Sequence, residues 1–153
     1  MGPVYEAHDN RLDREVAIKV INPQQFDNEK VRHRFAREAK VVARIEHPNI
    51  VGVYDCGNLD SGFVYIVMER LKGRDLAKLV KAKGPGTPRE VASILRQAGA
   101  ALAAAHGTML IHRDIKPENI FLIPNLEGGF QVKLVDFGLA KEISADSALT
   151  HSG

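Results

Sequence analysis

Two short β-type runs, 120–123 and 131–135, joined by a Pro/Asn/Gly turn, constrain this chain more than any other stretch. Each is bordered by a polar block. His112-Arg113-Asp114-Ile115-Lys116-Pro117-Glu118-Asn119 leads into the first run, and Asp136-Phe137-Gly138 leaves the second. A hairpin bordered in this way places an Asp, a Lys, an Asn and a second Asp on loops at the ends of short strands. Loops braced by strands are where binding and catalytic groups are commonly held.

The remaining chain supplies the support such a hairpin needs. Residues 1–7 read as the second half of a hairpin with no first strand before it. A turn at 9–13 leads to a strand at 15–21, where Val16, Ile18 and Val20 alternate with Ala17 and Lys19. A lysine inside so apolar a strand must either snorkel to water or meet an anion. Asp27 opens a helical stretch to about Ile45, with Val31, Phe35, Val42 and Ile45 close to one face. Glu38 lies within it, at helical spacing from Arg34, and a surface ion pair is the simplest reading of that pair. His47-Pro48-Asn49 breaks the helix, because the residue before proline is pushed out of the α region. Strands follow at 50–56 and 63–69, then a short helix at 75–81 that Gly84 terminates. Thr87-Pro88-Arg89-Glu90 is a capping box with proline at the first helical position. The helix it opens runs to about 106, has a wide apolar face, and is predicted to stop at Gly107.

Composition sets the outer limits. The 153 residues allow one domain with one sizeable core. Twenty-one basic against 19 acidic side chains leave a formal charge of +2, which offers no argument for a nucleic-acid partner. No apolar run reaches the length of a membrane span and no signal-peptide pattern opens the chain. The single cysteine, Cys56, sits in an apolar run and reads as a buried structural thiol; one cysteine fits a reducing, cytoplasmic setting. A zinc site built from the six histidines is set aside, since His106 and His112 are too far apart for a one-turn helical pair and no cysteine cluster exists.

The blocks at 112–119 and 136–138 resemble the catalytic loop and the metal-binding Asp-Phe-Gly of the protein kinase family. Val16-Ala17-Ile18-Lys19 resembles its ATP-binding strand, with Glu38 nineteen positions further on, the usual separation of that lysine from its helix glutamate. Eight fixed positions at 112–119 and 136–138 coincide by chance at about 20⁻⁸ per alignment. The resemblance implies an α+β, protein-kinase-like two-lobed fold: a small β-rich lobe over about 1–69, a hinge region at 70–74, and the start of a helical large lobe at 75–153. It implies ATP and Mg²⁺ as cofactors and phosphoryl transfer to protein Ser/Thr hydroxyls. Asp114, Lys116, Lys19 and Glu38 would be the catalytic set. Gly2, Val4, Ala17, Lys19, Met68, Glu69, Leu71, Asp75 and Phe121 would hold the nucleotide, with Met68 as gatekeeper. Asn119 and Asp136 would hold the metal. Val42, Val53, His112 and Phe137 match the stacked column of active kinases. Lys116 tilts the acceptor toward Ser/Thr rather than Tyr, and the wording around it resembles bacterial members of the family. Arg113 and the Thr150-His151-Ser152 stretch suggest switching by phosphorylation of the activation loop.

The resemblance also has edges. Of the Gly-rich loop only Gly2 and Val4 match, the first strand is missing, and the Ala-Pro-Glu motif and later helices have no counterpart. The chain is therefore expected to be a partial kinase domain truncated at both ends, inactive alone, with an α-helix over 88–106 whose apolar face is partly exposed. A protein substrate and a kinase dimer are partners open to a full-length form. Competing readings are a nucleotide-binding pseudokinase scaffold and a non-functional gene fragment. Intact Lys19, Asp114, Asn119 and Asp136 count against the former.

Overall fold

A computed structural model describes residues 2–22, 39–126 and 128–137, in two compact units. Of the described residues, the first comprises 2–22, 39–44 and 52–70, and the second comprises 45–51, 71–126 and 128–137.

The first unit is built on a four-stranded antiparallel sheet in the order β1-β2-β4-β3, from β1 (Val4–Asp9), β2 (Arg14–Ile21), β3 (Val53–Asn58) and β4 (Val64–Glu69). Successive side chains on a strand point to opposite faces, so register decides what shares a face. Ala17, Lys19 and Ile21 lie opposite Met68, Ile66 and Val64 on β4, and Lys19 lies opposite Val4 on β1. That face is the core: Ile21, Val64 and Ile66 are buried with Ala39 of the helical turn at 39–42, and Val53, Cys56 and Met68 pack against them. Cys56 is half-buried, and burial raises its thiol pKa, which suits the structural role expected of it. The β1–β2 turn is held by the Asp9 carboxylate, which accepts from the backbone N–H groups of Arg11 and Leu12 at 3.1 and 3.3 Å, an Asx-type turn.

In the second unit β5 (Arg74–Asp75), β6 (Ile120–Pro124) and β7 (Phe130–Leu134) form an antiparallel sheet in that order. Helix α1 (Leu76–Lys83) follows β5, and α2 (Pro88–Gly107) packs on β7. Leu122, Val132 and Leu134 are fully buried beneath Ile94, Ala98, Ala101 and Ala105 of α2. The small alanines at this spacing let the helix lie close to the sheet. The capping box forms in full: Thr87 Oγ1 accepts from the Glu90 N–H, and the Glu90 carboxylate accepts from the Thr87 N–H at 2.8 Å. The predicted stop at Gly107 is displaced. Gly107 is the last helical residue, Thr108 is the cap, and the left-handed position falls on Met109, with φ 60°. The N–H groups of Thr108, Met109 and Leu110 return to the carbonyls of Ala105 and His106, which sets the exit two residues beyond the glycine. Val91 and Leu95 of α2 are exposed, Leu95 at 64%, so the apolar face of this helix is only partly covered.

The segment 45–51 differs from the strand predicted over 50–56. Ile50 and Val51 attach to β7: Val51 N–H donates to the Leu134 carbonyl and Leu134 N–H to that of Asn49. Strand β3 begins only at Val53; at Gly52 the carbonyl accepts from the Glu69 N–H and the N–H donates to the Glu69 side chain. Asn49 is buried and clamps the segment. Its Nδ2 donates to the Gln97 Oε1 at 2.9 Å and to the Val132 carbonyl at 2.8 Å. Gln97 in turn donates to the Phe130 carbonyl and accepts from the Val132 N–H.

Candidate active site

In the first unit the site residues are set by strand register. Lys19 is 5% exposed, on the core face between Ala17 and Ile21. A buried ammonium needs compensating polar contacts, and Lys19 has them rather than snorkelling to solvent. Glu38, its expected partner, lies outside the described residues. Val4 and Ala17 share the face with Lys19, Val4 exposed and Ala17 half-buried. Gly2 sits where no side chain fits, because a Cβ there would stand 2.0 Å from the Val20 carbonyl oxygen. The adjacent Pro3 carbonyl accepts from the Val20 N–H. The close approach to β2 therefore requires a glycine at this position. Met68 is half-buried against the core. Glu69 donates its N–H to the Gly52 carbonyl, while its Oε1 accepts from the Gly52 N–H at 2.7 Å. That amide is thus committed to Gly52. Val42 is buried and Val53 half-buried in this unit.

In the second unit the groups are set by loops. Residues 112–119 and 135–137 are stitched together: the His112 Nε2 lies 3.0 Å from the Val135 carbonyl, and the Val135 N–H donates to the Asn119 carbonyl. The His112 Nδ1 accepts from the Asp114 N–H, so the ring proton belongs on Nε2, which donates to Val135. Burial holds the His112 pKa below its ordinary value, in keeping with that neutral tautomer. Its ring packs on Phe137 with centroids 4.5 Å apart.

Asp114 is gripped from two sides. Its Oδ2 accepts from Lys116 Nζ at 2.9 Å and from Asn119 Nδ2 at 3.0 Å, and Asn119 Nδ2 also donates to the Asp114 carbonyl at 2.8 Å. The Asp114 carboxylate raises the Lys116 pKa, keeping the ammonium charged. Both amide hydrogens of Asn119 are spent on Asp114, which orients the amide and turns its oxygen the other way. A 3₁₀ turn, Pro117–Asn119, sets this geometry, with the Asn119 N–H donating to the Lys116 carbonyl. Arg113 and Asp136 both have left-handed backbones, φ 59° and 54°. Non-glycine residues in that region cost free energy, and such strain gathers at functional sites.

Asp75 caps the helix that follows it. Burial pushes its pKa up, but bonds from Lys78 outweigh this and hold it low. One carboxylate oxygen caps α1 through the Lys78 N–H and the other meets Lys78 Nζ, both at 2.8 Å. Phe121 is half-buried on β6, paired across from Asp75 and Lys133. Leu71 is half-buried at the start of the second unit. Gly73 is required by its neighbours, since a Cβ would stand 2.1 Å from the Leu122 carbonyl oxygen. Gly138, Thr150 and Ser152 lie outside the described residues. Sequence reasoning missed Asn49 and Gln97, which anchor the chain leading to this loop system. The available signal was Gln97 itself, a polar residue beside the buried stripe of α2, where it needs partners.

The loop system thus presents a carboxylate held by an ammonium and a buried amide, together with an aspartate of left-handed backbone. The family model for the protein kinase domain matches residues 1–152, and the chain belongs to that family. Its fold is the α+β kinase fold in part. The chain is 44% identical to the serine/threonine-protein kinase PknD of Mycobacterium tuberculosis over all of its own length and 22% of that protein's. It is 44% identical to the serine/threonine-protein kinase PrkC of Bacillus subtilis, covering 99% of this chain and again 22% of the relative. Among solved structures, the kinase domain of PknI from Mycobacterium tuberculosis matches with a TM-score of 0.81 and 34% identity, over 95% of this chain and 61% of that one. The chain thus spans about a fifth of the length of these curated relatives.

Proposed function

We propose that this chain carries the nucleotide- and metal-handling part of a serine/threonine protein kinase, which transfers the γ-phosphoryl group of ATP to a Ser or Thr hydroxyl of a protein substrate. The observation that carries the reading is the Asn119–Asp114–Lys116 arrangement. Phosphoryl transfer asks a protein for positioning and charge neutralisation rather than covalent chemistry. Asp114 is fixed to accept the hydrogen bond of the acceptor hydroxyl and to draw off its proton. Lys116, kept charged by Asp114, neutralises the transferring group. Lys19 holds phosphate oxygens, with Glu38 as its positioning partner. The Glu69 carbonyl and Leu71 amide meet the adenine, with Val4, Ala17, Met68 and Phe121 as its apolar surroundings. Asp75 and Gly2 complete the proposed nucleotide set, with Asp75 also capping α1 and Gly2 also allowing the close approach to β2.

The donor set fits Mg²⁺. The Asn119 amide oxygen and the Asp136 carboxylate are hard oxygen donors, and Mg²⁺ is commonly held by one or two such groups with the rest of its shell left to phosphates and water. When bound, the ion would supply charge neutralisation on the phosphates. The family relatives being bacterial kinases, a reducing, cytoplasmic location is the setting proposed for this segment. Among the described residues no helix is long and apolar enough to cross a membrane.

Activity is proposed for a chain that carries a whole kinase domain, with the 153 residues alone inactive. Incubating both forms with γ-labelled ATP, Mg²⁺ and Ser-, Thr- and Tyr-containing peptides tests this. Label on Ser or Thr from the longer form only is the expected result. Efficient transfer by the 153 residues alone would refute the inactivity, and label on Tyr would refute the substrate class.

A further inference from the structure

We propose that the groove between α2 and the β6–β7 turn is a docking site for an acidic peptide segment of a partner protein. The groove is open, about 700 Å³ in volume, and its walls are the N-terminal half of α2 on one side and Asn125 with residues 128–131 on the other. Its floor is Ile94 and Phe130. Arg89 and Arg96 stand seven positions apart on α2, close to two full turns, so both face the groove with a rise of about 10 Å between them. Among the described residues neither guanidinium has a hydrogen bond or ion pair. The acidic side chain on this wall, Glu90, is tied to the cap of α2: the Thr87 N–H and hydroxyl both donate to its Oε2, and those bonds lower its pKa, so it stays an anion between the two arginines in sequence. Gln97 is occupied too, by Asn49, Phe130 and Val132. The Asn125 Oδ1 accepts from the Gly129 N–H at 2.7 Å, which leaves its amino group as a donor. With Arg89 and Arg96 against the single carboxylate of Glu90, the groove carries one net positive charge and is donor-rich, and the positive end of the α2 dipole adds to it.

The complementary ligand has carboxylates and little positive charge. A polyproline-II-type extended chain advances about 3.1 Å per residue with three residues per turn, so two acidic side chains three positions apart share a face and match the spacing of the two arginines. Planar guanidiniums take carboxylates through paired hydrogen bonds. The apolar floor favours a chain with an aliphatic residue between them. The inference does not depend on phosphoryl transfer, since no residue of the proposed catalytic or nucleotide set lines the groove.

The test is fluorescence anisotropy with the full-length protein and a labelled peptide carrying two Glu about three positions apart around a Leu, beside its Gln twin. At low salt the Glu peptide is expected to bind and the twin to bind far more weakly. Arg89→Gln and Arg96→Gln are each expected to weaken binding about five-fold, and the double variant about 25-fold if the two act independently. Arg44→Gln, an exposed arginine of the first unit, is expected to change nothing. In the unmutated protein the peptide is expected to shift the amide resonances of Arg89, Ser93, Arg96 and Asn125, which keeps the test independent of how the variants fold. Equal binding of the Gln twin, full binding by the double variant, or shifts confined to other residues would overturn the proposal. Binding of inorganic phosphate as tight as that of the peptide, with the same arginine dependence, would also overturn it by making the groove a small-anion site.

Discussion

Lys19 and Asn119 are both polar side chains almost out of contact with water, 5% and 1% exposed, yet they reach that state by opposite routes. Lys19 is placed by the pleat. Its neighbours on β2 and its partners Val4 and Ile66 across the sheet fix which face it takes, and no backbone distortion is involved. Asn119 is placed by hydrogen bonds in a loop. Its amide, its N–H and its carbonyl are each tied to a different backbone or carboxylate group, and the nearby Arg113 and Asp136 accept left-handed backbones. A strand delivers a functional group through periodicity, and a loop delivers one through a closed polar network with local strain. The first tolerates change in the side chain; the second does not.

The contrast can be broken most forcefully at Lys19. Lys19→Met keeps an unbranched chain on the same strand face, so the sheet is expected to hold its packing, with up to about 3–5 kcal/mol lost in urea melts from the anion left without its ammonium. Phosphoryl transfer by the whole domain is expected to fall about 10²–10³-fold through loss of phosphate stabilisation. A collapse of stability with transfer largely kept would reverse the roles assigned to strand and loop. Asn119→Leu leaves the buried Asp114 carbonyl without its donor, and urea melts are expected to show about 2 kcal/mol lost at unchanged slope.

His112 sharpens the comparison through pH. Its pKa is depressed in the folded protein by burial, so the unfolded chain binds the proton first. Stability is fully present above the unfolded value of about 6.5 and is lost as pH falls below it, down to the folded pKa, with a slope of at most about 1.4 kcal/mol per pH unit. Denaturation midpoints measured between about pH 7 and 5 check this; His112→Phe, which keeps the packing on Phe137, is expected to flatten the curve. The smallest effect falls at the exit of α2. Met109 is 93% exposed with φ 60°, so Met109→Gly relieves strain at little packing cost. A gain of about 0.5–1 kcal/mol in thermal or urea melts is expected.

Much of the strand-held part was legible before the structure. Alternation at Val16, Ile18 and Val20 located β2, and the spelled-out capping box at Thr87 located the start of α2 to the residue. The loop-held part was legible only as residue identities. Nothing local marks Arg113 or Asp136 for a left-handed backbone, because the strain is imposed by the stitching of 112–119 to 135–137. The two-residue β5 is too short to show a period. The docking of 45–51 depends on Gln97 and Val132, 48 and 83 positions away from Asn49, a separation at which sequence pattern carries no information. Met109 shows the reverse case, where a plausible local stop at Gly107 lost to hydrogen bonds set by the next turn.

Single-turnover transfer of γ-phosphate from ATP to a serine peptide, in wild-type whole domain and in Asp114→Asn, tests most directly whether the loop network performs the chemistry. The substitution keeps the side-chain shape and an acceptor oxygen toward Lys116 but removes the carboxylate that would take the proton. A rate lower by about 10²–10⁴-fold with ATP binding unchanged is expected. A variant that transfers phosphate within a few-fold of wild type would contradict the assignment of Asp114, and with it the reading of the whole loop.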